Sequence, residues 1–164
     1  MRVLAFDPGF ERLGAAVLEK NPPAGGVGKD VLLHSECIHT SPKLSFEERL
    51  LLLGKETEGL ITKWQPDMVA IEDVYFENNA KTAMQVAEVC GMLKYIALSH
   101  GAPLTHYSPL QVKVAITGYG KSDKVAVAHM VARLVALPEK KRLDDEIDAI
   151  AVGLTCLAST RLPS

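Results

Sequence analysis

The order of short apolar segments restricts the possible folds of this chain more than any other feature. Three strand-like runs, 2–6, 13–19 and 31–39, come before the first helical pattern, and two more, 68–72 and 104–107, alternate with helical patterns. Consecutive strands favour antiparallel pairing, whereas strands separated by helices favour parallel pairing. The sequence therefore predicts an α/β domain with a five-stranded mixed sheet, three antiparallel strands followed by two parallel ones, flanked by helices.

Helix signals occupy the intervals between these strands. Ser45 and Glu48 have the spacing of a capping box, and apolar residues then recur at helical intervals as far as Trp64. Further helices are predicted over 79–99, 109–115 and 144–158, and another from an N-cap at Ser122 to residue 137, before Pro138. One stripe of the 79–99 helix fits either the monomer core or a contact between two copies; it comprises Val86, Cys90, Leu93 and Ala97.

The bulk composition is that of a single soluble domain. The 164 residues are 48% apolar and 23% charged, which predicts one domain over 1–164. We expect a cytoplasmic protein without a membrane partner, because neither a secretory signal nor an apolar run of about 18 residues is present. The three cysteines lack Cys-x-x-Cys spacing and are expected to be reduced thiols. The net charge of −2 is unusual for a nucleic-acid binder, so any such binding must rely on local basic clusters.

Acidic residues stand at the ends of two apolar strands and at the start of the last helix. Asp7 ends the first strand, Glu72 ends the fourth, and the run DDEIDAIAVGL contains Asp145 and Asp148 on one helical flank. Adjacent carboxylates repel each other unless a cation lies between them. Carboxylate oxygens without His or Cys partners are the ligands that Mg²⁺ or Mn²⁺ prefers, and two such ions can support phosphodiester hydrolysis.

Each acidic residue also has an ordinary explanation when it is considered alone. Asp7, in Asp-Pro-Gly, fits a turn residue, and Glu72 fits a charge at a strand end. The acids at 144–148 fit a helix N-terminus, where the macrodipole favours negative charge. Their joint occurrence at two strand ends and one helix start is what favours a metal site.

Four segments together resemble the RuvC family of Holliday junction resolvases. They are FDPG with Gly14 after it, AIEDVYFENNAKTA, SPLQVKVAITGYGKSDKVAV and DDEIDAIAVGL, and the match extends from Arg2 to Ala158. The resemblance implies a ribonuclease H-like fold in which Asp7, Glu72, Asp145 and Asp148 form a catalytic tetrad that binds two Mg²⁺ ions, with Mn²⁺ as a substitute. It further implies a bacterial homodimer that nicks four-way DNA junctions and works with a branch-migration helicase complex of the RuvA and RuvB type.

Candidate DNA-binding residues lie in two regions. Lys113, Lys121 and Lys124 surround the Gly118-Tyr119-Gly120 segment and are suited to phosphate contacts, although a solvated helix face is the simpler explanation of the pattern alone. The resemblance places Lys113 and Lys124 near the scissile phosphate. The second region contains Tyr75, an aromatic suited to stacking on an unpaired base, and Asn79 and Lys81 at a helix start.

Three residues depart from the family pattern: Phe10, Glu11 and Asn78. They affect the expected DNA affinity more than the expected chemistry. Two alternative functions remain open. One is a ribonuclease H-like nuclease that acts on RNA or flaps, and the other is a catalytically silent junction-binding module. An ATP-binding domain of the actin and sugar-kinase type also begins with an aspartate and glycines, but it needs about twice this length.

Overall fold

The sheet has the five strands and the mixed pairing that the sequence predicts. A computed structural model of the chain describes residues 1–20, 30–73, 80–137 and 141–160, without the side chains of 80 and 81. The strands are β1 (Arg2–Asp7), β2 (Arg12–Glu19), β3 (Val31–His39), β4 (Met68–Glu72) and β5 (Leu104–Tyr107). Their order is β3-β2-β1-β4-β5, with antiparallel β1–β2 and β2–β3 pairs and parallel β1–β4 and β4–β5 pairs. Strand β1 is thus central, between an antiparallel and a parallel neighbour.

Five helices flank this sheet in the described part of the chain. They are α1 (Phe46–Trp64), α2 (Ala80–Ser99), α3 (Pro109–Thr117), α4 (Lys124–Leu134) and α5 (Asp144–Ser159). The capping box of α1 is confirmed, because the Glu48 amide donates to the Ser45 hydroxyl and the Ser45 amide donates to the Glu48 carboxylate. Helix α3 begins with a second capping box, formed by Ser108 and Gln111.

The predicted limits of α4 are wrong at both ends. Asp123 is the N-cap, since its Oδ1 accepts a hydrogen bond from the Ala126 amide at 2.8 Å. The Ser122 hydroxyl instead donates to the carbonyl of Tyr119 at 2.8 Å and closes the preceding turn. The helix ends at Leu134 rather than at residue 137, because Val135 adopts an extended conformation and forms a parallel bridge with Asp30.

The two faces of the sheet bury different sets of side chains. Along β1, Leu4 and Phe6 belong to the core beneath α1 and α2, whereas Val3 and Ala5 belong to the core beneath α5. The alternation follows from the two-residue period of a strand. The residue that ends β1, at position 7, therefore lies on the α5 face.

Helix α5 is buried on nearly all sides, with every residue from Ala149 to Leu157 inside the protein. It packs against β1 and β2 and contacts α3 and α4. The alternatives for the α2 stripe are also resolved within this monomer. Cys90, Leu93 and Ala97 are buried in the core beneath α1 and α2, and Val86 packs partly against it.

The structure describes all three cysteines and also the length and apolar character of the helices. Cys90 and Cys156 are buried free thiols, and Cys37 is a partly buried one. Across the described ranges, none of the helices combines the length and apolar character needed to cross a membrane.

Candidate active site

Two parallel central strands bring Asp7 and Glu72 to the same edge of the sheet. Phe6 of β1 lies opposite Ile71 of β4, so the carboxylates follow one residue later on each strand. In β4, Val69 and Ile71 face α1 and α2, while Ala70 faces α5. By the same alternation Glu72 lies on the α5 face, as Asp7 does. The register of a single strand pair therefore brings these two acidic side chains together.

A glycine allows the start of α5 to approach this edge. Gly14 of β2 lies opposite Asp7, and a Cβ atom at this glycine would overlap the backbone carbonyl oxygen of Asp145. No other residue type leaves the helix backbone this much room against a strand. The close approach places Asp148, one turn into α5, beside the carboxylates of the two strands.

The resulting cleft combines acidic and basic groups. It has a volume of about 290 Å³ and is lined by Asp7, Glu72, Pro109, Val112, Lys113, Lys124, Val127 and Asp148. The Nζ atom of Lys124 lies 3.2 Å from Oδ2 of Asp148 and donates a hydrogen bond to it. Helix α3 contributes Lys113, and the first residue of α4 is Lys124. Three of the four predicted acidic residues and two of the predicted lysines thus share one site.

Burial and mutual repulsion disfavour the ionised carboxylates in this cleft. Burial is the main cause that raises the pKa of Asp7 to about 8, and repulsion by Glu72 and Asp148 adds to it. Burial also raises the pKa of Glu72 to about 7, with repulsion by Asp148 added and attraction by Lys113 opposing it. The pKa of Asp148 is raised by burial as well, although Lys124 opposes that shift.

The surroundings that disfavour the charged carboxylates favour the charged form of Lys124. Burial alone lowers the pKa of Lys124, but attraction by Asp148, Asp144 and Asp7 outweighs it, so the net shift is upward. Lys124 therefore stays charged at neutral pH. It offsets only part of the negative charge in the cleft.

Asp145 does not share the cleft with the other three acidic side chains. It lines an adjacent groove of about 390 Å³ with Gly9, Phe10, Glu11, Arg12, Thr82 and Val86. Its Oδ2 atom lies 3.3 Å from Nε of Arg12. Over the described ranges no three His, Cys, Asp or Glu side chains form a ready-made metal-binding group. The predicted tetrad is therefore split between two neighbouring depressions, close enough for Asp145 to raise the pKa of Asp7.

The donor set of the cleft nevertheless fits a hard divalent cation. Its acidic ligands are all carboxylates, and the elevated pKa values of Asp7 and Glu72 reflect negative charge that a cation would offset. The Oδ2 atom of Asp145 is buried and accepts no hydrogen bond from the described residues, so it retains a free lone pair. The residues thus have the charge and oxygen donors that Mg²⁺ requires.

The other predicted DNA-binding residues have different outcomes. Tyr75 and Asn79 lie outside the described residues, and so does the departure at Asn78. Lys81 is placed in α2 by its backbone only. Lys121 is exposed in the α3–α4 turn and does not line the cleft. Their contribution to DNA binding stays a prediction.

Sequence reasoning missed the contacts that hold the β1–β2 turn next to Asp7. The Phe10 ring packs edge-to-face on Phe46 with centroids 6.0 Å apart, and the Arg49 guanidinium lies 5.6 Å from the Phe10 centroid. The Thr40 hydroxyl donates to the Phe10 carbonyl at 2.6 Å. The departure at Phe10 is therefore a packing feature that anchors the turn on α1. No periodicity in the sequence marks it, because its partners come from other elements.

A buried polar group beside α5 was missed as well. The Ser35 hydroxyl donates to Oε2 of Glu146 at 3.0 Å, and Nε of Arg142 lies 3.9 Å from the same oxygen. The sequence predicts Glu146 only as one of several acids at a helix start, but its side chain is buried. Its neighbours explain why this acid is structural while Asp145 and Asp148 border open depressions.

Fold and site together define the class of this protein: a ribonuclease H-like nuclease domain with an acidic cleft at the carboxyl ends of two parallel strands. The family model described as "Crossover junction endodeoxyribonuclease RuvC" matches residues 3–156. The chain belongs to the RuvC family.

Individual relatives support this assignment over nearly the whole chain. The crossover junction endodeoxyribonuclease RuvC of Caldicellulosiruptor saccharolyticus is 38% identical over 160 residues, which cover 98% of this chain and 94% of the relative. The structure of Thermus thermophilus RuvC in complex with a Holliday junction substrate matches with a TM-score of 0.86 and 33% sequence identity. The match covers 94% of this chain and 92% of the Thermus thermophilus chain. The yeast mitochondrial resolvase Ydc2, at 14% identity and a TM-score of 0.70, shares the fold.

Proposed function

We propose that this protein is a structure-selective endodeoxyribonuclease that resolves four-way Holliday junctions during recombination and repair. Paired symmetric nicks would leave 5′-phosphate and 3′-hydroxyl ends. The observation that carries the proposal is the cleft, where Asp7, Glu72 and Asp148 meet Lys113 and Lys124 at the ends of the central strands. The junction as substrate is supported by the Thermus thermophilus relative, whose structure contains one.

The carboxylates of Asp7, Glu72 and Asp148 would hold Mg²⁺, and Asp145 would join them by turning from its groove towards the cleft. Two Mg²⁺ ions, or Mn²⁺ in their place, would lower the pKa of water and offset charge on the phosphodiester as it is cleaved. Fixed carboxylates suit this task because strands and a buried helix hold their backbones in place.

The two lysines would position the scissile phosphate. Lys113 is partly buried in the wall of the cleft, whereas Lys124 reaches in from the exposed start of α4. An ammonium that pairs with Asp148 at 3.2 Å can exchange that carboxylate for a phosphate oxygen at little cost, since both are anions. With the Asp148 carboxylate engaged in holding a cation, the scissile phosphate would be the better partner for Lys124.

We also propose that the protein acts as a homodimer in the bacterial cytoplasm, together with a helicase complex of the RuvA and RuvB type. A four-way junction has two symmetric strands to cut, and a two-fold dimer presents two clefts. The outer side of α2 supports a self-association surface. Its exposed residues Met84, Glu88, Gly91, Tyr95 and Leu98 recur at intervals of four and three, the spacing of a helix–helix seam.

Replacing Tyr95 by lysine tests this outer side of α2. The Tyr95 side chain is 74% exposed in the single chain, so the substitution should leave the monomer fold intact while it places a charge within the seam. We expect the dimer to dissociate at least about tenfold more readily, as measured by analytical ultracentrifugation. Val125→Lys, which alters an equally exposed side chain on α4, should stay dimeric. A dimer unaffected by Tyr95→Lys would place the interface elsewhere.

The main test is cleavage of a mobile four-way junction by the purified protein in Mg²⁺. We expect paired symmetric nicks that disappear in Asp145→Asn, with junction binding retained because phosphate contacts are made by other residues. Linear duplex, flap and RNA–DNA substrates serve as comparisons. Equal rates on linear duplex and junction would contradict the resolvase assignment, and metal-independent binding without nicking would indicate a silent junction-binding module.

A further inference from the structure

The Arg12–Asp145 pair joins the start of β2 to the first turn of α5. The Nε atom of Arg12 lies 3.3 Å from Oδ2 of Asp145, while the side chains are 53% and 17% exposed. Both residues line the groove that adjoins the acidic cleft. The pair therefore joins a half-exposed cation to a carboxylate that is mostly withdrawn from water.

The contact is an ion pair rather than a well-formed hydrogen bond. Oδ2 of Asp145 is buried, yet it accepts no geometrically acceptable hydrogen bond from the described residues. A buried carboxylate oxygen in this state is incompletely stabilised, because the guanidinium supplies charge without a directed donor. A stronger positive charge would therefore compete effectively for the same oxygen.

We infer that Arg12 is a resident counterion of Asp145 that a divalent cation must displace. The inference rests on the proposed function, because it takes Asp145 to be a ligand once the carboxylate turns towards Asp7. In the absence of the cation, Arg12 keeps Asp145 in its groove and limits repulsion among the acidic residues. Binding of the cation then exchanges one positive partner of Asp145 for another.

Competition of this kind lowers the apparent affinity for the cation. A partly exposed ion pair has to be broken before Asp145 can bind, so removing the guanidinium should tighten Mg²⁺ binding by about fivefold. Arg12→Lys keeps the charge on a shorter and more flexible side chain and should lie between Arg12→Ala and the native protein. In an Asp145→Asn background, Arg12→Ala should have no further effect, because the competing anion is gone.

The experiment is calorimetric titration of the full chain with Mg²⁺, without DNA, so that affinity is read independently of cleavage. Arg133→Ala is the matched control, since it removes an exposed arginine of α4 for which no ion pair to the four acidic residues is present in the described chain. Circular dichroism would verify that each variant is folded. We expect about fivefold tighter binding for Arg12→Ala and no change for Arg133→Ala.

Two results overturn the inference, and they can be told apart. Native protein that binds Mg²⁺ in an Asp7-dependent manner, with equal or weaker binding in Arg12→Ala, would overturn the counterion role alone. Native protein that shows no Asp7-dependent Mg²⁺ binding would overturn both the counterion role and the metal site of the proposed function.

Discussion

Replacing Asp7 by asparagine should abolish nicking and at the same time stabilise the metal-free protein. Cleavage should fall by about a thousandfold or more, because a ligand that contributes several kcal/mol of charge stabilisation is removed. The metal-free fold should become more stable because Asp7 is buried beside Glu72 and Asp148, where its negative charge is unfavourable. A residue whose removal improves stability while it destroys activity is under functional rather than structural constraint.

The stability gain depends on pH in a defined direction. Because folding raises the pKa of Asp7 from 3.8 to about 8, the folded protein binds more protons than the unfolded chain between these values. Stability is therefore greatest below pH 4 as far as this group is concerned, and it is lost as the pH rises towards 8. Asp7→Asn removes the loss, so we expect a gain of several kcal/mol in the free energy of unfolding at pH 8 and a smaller gain at pH 5.

Urea unfolding at pH 5 and pH 8 in EDTA would measure this effect, and a junction cleavage assay would measure the loss of activity. Glu58→Gln is the matched control, because Glu58 is an exposed acid of α1 that does not line the cleft. It should change neither quantity appreciably. An Asp7→Asn protein that is less stable than the native chain at pH 8 would refute the electrostatic account of the cleft.

Gly14→Ala should damage both the fold and the site through a single methyl group. The new Cβ would overlap the backbone carbonyl oxygen of Asp145. Neither atom can move away by a side-chain rotation, because the oxygen is part of the backbone and the Cβ is bonded directly to it. We expect a loss of about 3 kcal/mol in the free energy of unfolding as α5 is pushed away from β2. A displacement of about 1 Å at the start of α5 should also reduce cleavage about a hundredfold, because Asp148 moves with the helix.

Gly59→Ala is the control for this prediction. Gly59 is an exposed residue of α1, and a Cβ there meets nothing within 4 Å. Alanine should stabilise the helix by about 0.5–1 kcal/mol and leave cleavage unchanged. Thermal unfolding and initial cleavage rates of the two variants would be compared. Native-like activity in Gly14→Ala would show that α5 can shift without disturbing the acidic residues.

Much of the framework follows from local patterns in the sequence. The strands and the sheet class were predictable because apolar alternation, capping residues and turn residues act over a few positions. The ends of α4 were not, since Asp123 competes with Ser122 for the cap and Val135 is drawn into a bridge with Asp30. Neither choice is visible in the pattern of apolar residues alone.

The sequence by itself determined that Asp7 and Glu72 each end an apolar strand, because strand ends are marked by local patterns. The parallel pairing of β1 with β4, which brings the two carboxylates to one edge and one face, is a tertiary contact. Only the tertiary structure decided that Asp148 lies in the acidic cleft and Asp145 in the adjacent groove. Asp145 and Asp148 are about 60° apart around the helix, and this angle places them in separate depressions once α5 packs against β2. Arg12, which is distant in sequence, then pairs with Asp145 because packing brings charges together regardless of their separation along the chain.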